Sequence, residues 1–273
     1  MSRAGAARGM PEGLEDRVRS AVIPHDGSNC MEATLSWLVP LLGHAQAHVE
    51  LCPRRGRQDV TARLEALAAE LRAAGATAST RIDFPDLLAA NPSNSGAEHL
   101  VVLHGGGDLG LDLLRNSRAS LFVTPTGLEP FAPRRILVPL DGSTKAEQIL
   151  PLVERFTQAF AAEIVLLRVA PDETSEGALK ARPNQVTTRL TLERSLLRAS
   201  RRLEERGARV KVRIEDSGDL HDRILRAAHS SGADLIATST HGHGRVARWL
   251  FGSCAERLLR RSQVPLLIRN ARA

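Results

Sequence analysis

Residues 239–253 read STHGHGRVARWLFGS, the stretch of the chain with the most chemical content. Gly242 and Gly252 are separated by nine residues, and Ser253 opens an amphipathic segment, SCAERLLRRS. Glycines let backbone N–H groups close on an anion, and a helix N-terminus with a hydroxyl adds further donors. Together they describe a phosphate cradle, to which Arg245 and Arg248 add charge-assisted contacts. Upstream, Asp141 stands in ILVPLDGS and Asp26 in AVIPHDGS. A carboxylate just past an apolar run either contacts a ligand or serves a turn or helix cap. With the cradle following only the later copy, ligand contact is expected of Asp141 and a cap role of Asp26.

Other groups of reactive residues carry less. His241 and His243, with His221 or His229, suggest a metal, but an i, i+2 pair in a glycine-rich loop has no acidic or cysteine partner at ligand spacing. They are read as loop polar residues beside phosphate. Gly105 to Gly110 spell G-x-G-x-x-G, with Glu129 nineteen residues further on. A dinucleotide fingerprint belongs after the first strand of a mononucleotide half, and this one follows a fourth, so it is read as a remnant loop. Neither a P-loop lysine motif nor a G-x-S-x-G elbow occurs, and no His or Lys partners either aspartate as a general base. Cys254, at a helix N-terminus, is placed where a thiol pKa falls, although an ordinary helix position explains it as well.

The elements that position these residues occur twice. At an offset of 115, Pro24, Asp26, Gly27 and Ser28 fall on Pro139, Asp141, Gly142 and Ser143. Both segments run apolar strand, polar turn, amphipathic helix, apolar strand, which is a βαβ unit with a buried parallel sheet. Residues 64–83 and 196–215 each read as a helix stopped by glycine, Gly75 or Gly207, then a strand. GAEHLVVLHG and GADLIATSTHG follow, and ASLFVTP and VPLLIRN close the copies. The expected fold is α/β: two tandem, doubly wound, five-stranded parallel-sheet domains. The first spans residues 1–124 and the second 134–273, with PTGLEPFAP (125–133) as linker. The copies differ after strand four, where His241 to Ser262 is 21 positions and His104 to Ser117 only 13. The first copy therefore lacks the arm that carries the second glycine and serine, and is expected to be degenerate and nucleotide-free. Residues 171–188 are expected to form a loop able to close over a ligand.

On these residues the chain resembles a tandem universal stress protein, over nearly its whole length. Nucleotide-binding members of that family carry G-x-x-G-x9-G-[ST] after strand four and an Asp after strand one. Gly242, the spacer, Gly252, Ser253 and Asp141 match, while Ser239 replaces the first glycine, which implies weakened rather than abolished binding. The resemblance implies a Rossmann-like fold of the adenine nucleotide alpha hydrolase-like kind. It places Pro139, Leu140, Asp141 and Val169 on the adenine and ribose side, with Thr238 and Ser239 bordering the sugar. Gly242, Gly252, Ser253 and Cys254 would hold the phosphates, with His241 beside them. The implied ligand is ATP, or AMP or ADP, with Mg²⁺ arriving on the triphosphate. A regulatory role is implied, not an enzyme, with at most slow ATP hydrolysis. Pairing through the terminal strands, 119–125 and 264–269, is implied within the chain or in a homodimer. A ligand-independent interaction protein of the same fold is the alternative.

Composition narrows the classes. The net charge of +6 divides into −2 over residues 1–127 and +8 over the remainder, so the basic half is the one with the cradle. With 3% aromatic residues and no Tyr, base stacking on single-stranded nucleic acid is disfavoured. The arginines of residues 194–209 alternate with glutamates at helical spacing, which is a solvated face before it is a nucleic-acid surface. Three cysteines without a C-x-x-C pair exclude a disulfide framework and point to a reducing, cytoplasmic setting. No run of 18 apolar residues is present, and the first residues lack the apolar core of a secretory signal.

Overall fold

In a computed structural model, the described residues are 18–54, 58–81, 98–117, 119–127, 132–170, 185–215, 218–240 and 253–270. The first half runs β1 (Val18–His25), α1 (Asn29–His44), β2 (His48–Pro53), a 3-10 turn (Gln58–Val60), α2 (Thr61–Ala73), β3 (Thr77–Thr80), β4 (Glu98–His104), α3 (Gly107–Asn116) and β5 (Ser120–Thr124). The second runs β6 (Arg135–Pro139), α4 (Thr144–Glu147), α5 (Leu150–Phe160), β7 (Glu163–Val169), α6 (Gln185–Glu205), β8 (Arg209–Glu215), α7 (Leu220–Ser231), β9 (Leu235–Ser239), α8 (Ser253–Arg261) and β10 (Leu266–Arg269). Because α6 begins at Gln185, the expected loop over 171–188 is shorter by at least four residues, and residues 171–184 lie outside the described set.

The D-G-S turns are built alike. Asp26 Oδ1 accepts the Ser28 N–H at 2.9 Å and Asp141 Oδ1 accepts the Ser143 N–H at 2.9 Å. Each serine then caps its helix: Ser28 Oγ accepts from Met31 N–H at 3.2 Å and Ser143 Oγ from Ala146 N–H at 3.0 Å. The intervening glycines, Gly27 and Gly142, sit at φ 78° and 80°, a backbone region that side chains resist. Asp26 therefore closes the turn but is not the helix cap expected of it; Ser28 is.

All the strands join one sheet, ordered β3-β2-β1-β4-β5-β10-β9-β6-β7-β8. Every pairing is parallel except β5 with β10, which run antiparallel with Leu266 opposite Val123, Leu267 opposite Phe122 and Ile268 opposite Leu121. Alternate side chains feed two cores, as the two-residue period of a strand requires. Leu100, Val102, Phe122, Val138, Leu235 and Leu267 face α1, α2, α5 and α6. Val101, Leu103, Val123, Leu137, Ile236 and Leu266 face α3, α7 and α8.

Both cores continue across the β5–β10 seam. On one face Trp37 of α1 meets Phe122 at 5.1 Å and Phe160 of α5 at 5.5 Å, and Phe122 stacks on Phe156 at 5.9 Å. On the other, Leu259 of α8 fills the space over the glycine run: a Cβ on Gly106 would lie 2.8 Å from its Cδ1, and one on Gly110 3.2 Å from its Cδ2. Arg115 of α3 donates to both carboxylate oxygens of Glu256 at 2.8 and 2.9 Å across the same contact. Among the described residues no helix is long and apolar enough to cross a membrane.

Candidate functional site

In the second half β6 lies between β9 and β7, so the chain leaves β6 toward one edge of the sheet and returns on its other side. Open α/β sheets place ligands beyond the carboxyl ends of the strands at this reversal. The ladder between β6 and β9 covers Ile136 with Leu235 and Leu137 with Ile236, then stops short of both strand ends. Pro139 ends β6 and Leu140 and Asp141 follow it, Thr238 and Ser239 end β9, and Val169 ends β7, so all six stand at the carboxyl ends of these strands.

The local chemistry differs along this edge. Leu140 is buried and its N–H donates to Leu167 O at 2.8 Å, which fixes the chain as it leaves β6. Pro139, Asp141 and Val169 are half-buried, and Thr238 is buried. Ser239 is half-buried, but its Oγ is enclosed without a hydrogen-bond partner among the described residues. An enclosed hydroxyl left unpaired costs about 1–3 kcal/mol, which a bound polar group would offset.

Arg168, in the penultimate position of β7, was not anticipated. Its Nη1 donates to Leu140 O at 3.3 Å and sits where a Cβ on Gly142 would come within 3.0 Å. Burial pulls its pKa down while the Asp141 carboxylate holds it up. It is a positioning residue beneath the turn that presents Asp141. The available signal was one arginine within the apolar run EIVLLRV.

His241, Gly242 and Gly252, with Arg245, Arg248 and His243, lie outside the described residues. Ser253 opens α8. Cys254 does not have the lowered pKa that its place at a helix start suggested: burial, and then the Asp219 carboxylate, push its thiol up to about 12. Asp219 caps α7, accepting from the His221 and Asp222 N–H groups at 3.1 Å each. The Asp222 N–H, ahead of the His221 imidazole, keeps that carboxyl below its ordinary range. Arg257 Nη1 lies 3.5 Å from Asp219 Oδ2 and partly balances this charge next to the first turn of α8. His221 Nδ1 lies 3.1 Å from Asp219 Oδ1 and 3.2 Å from Arg257 Nη1, so its tautomer selects one of the two bonds. Among the described residues no three His, Cys, Asp or Glu side chains group as a metal site.

Residues 133–269, half of the chain, match the family model described as the universal stress protein family. The chain belongs to the universal stress protein family. A universal stress protein of Methanocaldococcus jannaschii is 27% identical over 152 residues, covering 50% of this chain and 93% of that protein. One from Synechocystis is 25% identical over 155 residues, 57% of this chain and 48% of that protein. Among solved structures, a universal stress protein from Archaeoglobus fulgidus covers 93% of this chain and 99% of its own, with a TM-score of 0.62 and 18% identity. A protein of unknown function from Pseudomonas aeruginosa covers 93% of this chain and 92% of its own, with a TM-score of 0.66 and 18% identity. Both halves of the sheet thus have the universal stress protein fold.

Proposed function

We propose that this chain is a stress-response nucleotide-binding protein that holds ATP, or AMP or ADP, in its second half. Two tandem domains, 1–124 and 134–273, are joined by the linker 125–133, and the first acts as scaffold. The observation that carries this reading is the enclosed Ser239 Oγ, unpaired among the described residues, at the carboxyl end of β9, the strand that pairs with β6 ahead of Asp141. In this assignment Asp141 accepts from nucleoside donors through Oδ2, since Oδ1 is taken by the Ser143 N–H. Thr238 and Ser239 meet the sugar, and Gly242, Gly252, Ser253 and Cys254 approach the phosphates through backbone N–H groups. Asp141 is one carboxylate, half engaged, and does not make a protein cage for a hard cation. Mg²⁺ would therefore come with the triphosphate.

The protein binds and switches; it is not an enzyme. Asp141 has no described imidazole or amine to make it a general base, so hydrolysis would be slow. Because β5 and β10 pair within the chain, the edge that a second copy would use is occupied, and we assign the terminal-strand pairing to the chain itself. Buried Cys52 and half-buried Cys254 fit a cytoplasmic setting. A ligand-independent interaction protein is the second reading. It is favoured by Ser239 in place of glycine and by the Asp219 carboxylate near α8, which opposes an anion there. Nucleic acid is disfavoured because Arg202, Arg206, Arg257 and Arg261 are engaged by Glu147, Glu154, Asp219 and Asp222.

A fluorescent ATP analogue displaced by unlabelled ATP separates these. The proposal expects saturable binding that Asp141→Ala weakens and moderate salt leaves in place. Absence of binding supports the interaction protein, and binding that collapses steeply with salt supports nucleic acid.

A further inference from the structure

One buried titratable side chain has no part in the nucleotide contacts above. His221, in the first turn of α7, is fully buried, and it meets a carboxylate from the turn before α7 and a guanidinium from α8. Its Nδ1 lies 3.1 Å from Asp219 Oδ1 and 3.2 Å from Arg257 Nη1, and that Nη1 lies 3.5 Å from Asp219 Oδ2. One ring nitrogen cannot serve both neighbours. Without a proton, Nδ1 accepts from Arg257; with one, it donates to Asp219. Asp219 Oδ1 already accepts the His221 and Asp222 N–H groups, whereas Arg257 has only the long contact with Oδ2 besides the ring among the described residues. The neutral ring therefore serves Arg257. Adding a proton reverses this, because the imidazolium donates to Asp219 and repels the guanidinium.

The surroundings leave these two charges to respond. On the sheet side α7 packs on β6 and β7, which present Leu137, Val165 and Leu167. Asp222 is paired with Arg261 of α8 at 2.9 Å, Arg223 lies 3.6 Å from Glu215 of β8, and Glu256 of α8 is held by Arg115. Cys254 stays neutral near neutral pH, since burial, and then the Asp219 carboxylate, push its thiol up to about 12. The same effect shows that the Asp219 charge is felt at the first turn of α8. Arg257 lies one turn further along that helix.

We propose that His221 is a positioning residue through which proton uptake strengthens anion binding at the start of α8. This regulation rests on the reading that ATP phosphates approach Ser253 and Cys254. Protonated His221 cancels the Asp219 charge that opposes an anion there and frees the Arg257 guanidinium from the ring. Both changes favour phosphate, so affinity for ATP rises as pH falls. Linkage then requires ATP binding to draw a proton onto His221. Asp219 and Arg257 are exposed and solvent screens their charge, so the effect is about threefold rather than a hundredfold.

Two measurements on the full chain test this. Without nucleotide, the Arg257 guanidinium signals in NMR should shift along the titration curve of the His221 imidazole between about pH 5 and pH 8. Arg257→Gln, at an exposed position, assigns those signals, so this arm decides even where His221→Gln does not fold. In the second arm, calorimetry follows Mg·ATP from about pH 8 to about pH 6 in the parent and in His221→Gln. A terminal phosphate titrates over the same range, and the variant carries that contribution unchanged. ATP should tighten about threefold more in the parent than in His221→Gln, with more protons taken up per ATP when buffers of different ionisation enthalpy are compared. Arg257 signals that stay level across the range overturn the proposal. So does ATP binding with one pH profile in both proteins, which leaves the nucleotide reading standing. No ATP heat from either protein at any pH, with Arg257 still following His221, overturns the regulation and places the fault in the nucleotide reading.

Discussion

Replacing Phe122 by alanine tests whether the two halves are one cooperative body. Phe122 is fully buried on β5, at the antiparallel seam, where it faces Leu267 across the ladder. Its ring stands edge-on to Trp37 at 71° and nearly parallel to Phe156 at 18°. Truncating a buried Phe removes its transfer free energy and leaves a cavity, costing about 3–5 kcal/mol. Of this, each ring pair carries about 0.5–1.5 kcal/mol. Trp37 is itself 7% exposed and held by Phe160 as well, so the site cannot collapse fully and a loss near about 4 kcal/mol is expected. For a chain of this size that is a fall in Tm of about 10 °C. Urea unfolding in a Trp249→Phe background follows Trp37 alone, since the chain has two tryptophans. Far-UV circular dichroism follows all the helices. The two probes should move together, in the parent and in the variant. A loss below about 1 kcal/mol, or tryptophan and helix transitions that separate, would refute a shared core across the seam.

Other consequences follow from single groups. Ser143→Ala should cost about 1 kcal/mol in urea unfolding, because it removes the acceptor for the Ala146 N–H; an unchanged midpoint would mean that water replaces the cap. Four carboxyls are held below their ordinary range: Asp26, against the opposing effect of its burial, by the bonds from Ser28, Glu163 by Lys211 first, Asp219 by the Asp222 N–H and Glu256 by Arg115. Groups with depressed folded pKa values stabilise above their unfolded values and lose that contribution as pH falls through the folded ones. Tm should therefore be level above about pH 5 and drop below about pH 4, and a Tm that rises on acidification contradicts these pairings. Cys254, with its thiol pushed up to about 12 by burial, should resist alkylation at pH values where free cysteine reacts, until denaturant is added. Peptide mapping reads this directly, and rapid native labelling at Cys254 would contradict its burial.

What could be read in the sequence was local, and what could not was tertiary. The D-G-S turns recur at a fixed offset because an Asx turn and a serine cap need only neighbouring residues, so the two βαβ starts were evident. The strands followed from their apolar runs, and Gly75 sits at φ 100° just past the C-cap Ala74, as a helix stop requires. Gly106 and Gly110 could only be placed as a loop remnant, because the side chain that needs their missing Cβ atoms, Leu259, comes from the far end of the chain. The aromatic cluster was invisible for the same reason: nothing near Trp37 in sequence names Phe122 or Phe156. Cys254 shows how burial overrides position, since the helix start would lower its pKa and the apolar surroundings raise it.

Calorimetry of the nucleotide-stripped chain with Mg·ATP tests whether a nucleotide sits in the second half. One site per chain is expected in the parent protein and none after Gly252→Asp, whose carboxylate would repel the phosphates. Heat that persists unchanged in Gly252→Asp, or no heat from the parent protein up to millimolar ATP, would contradict it.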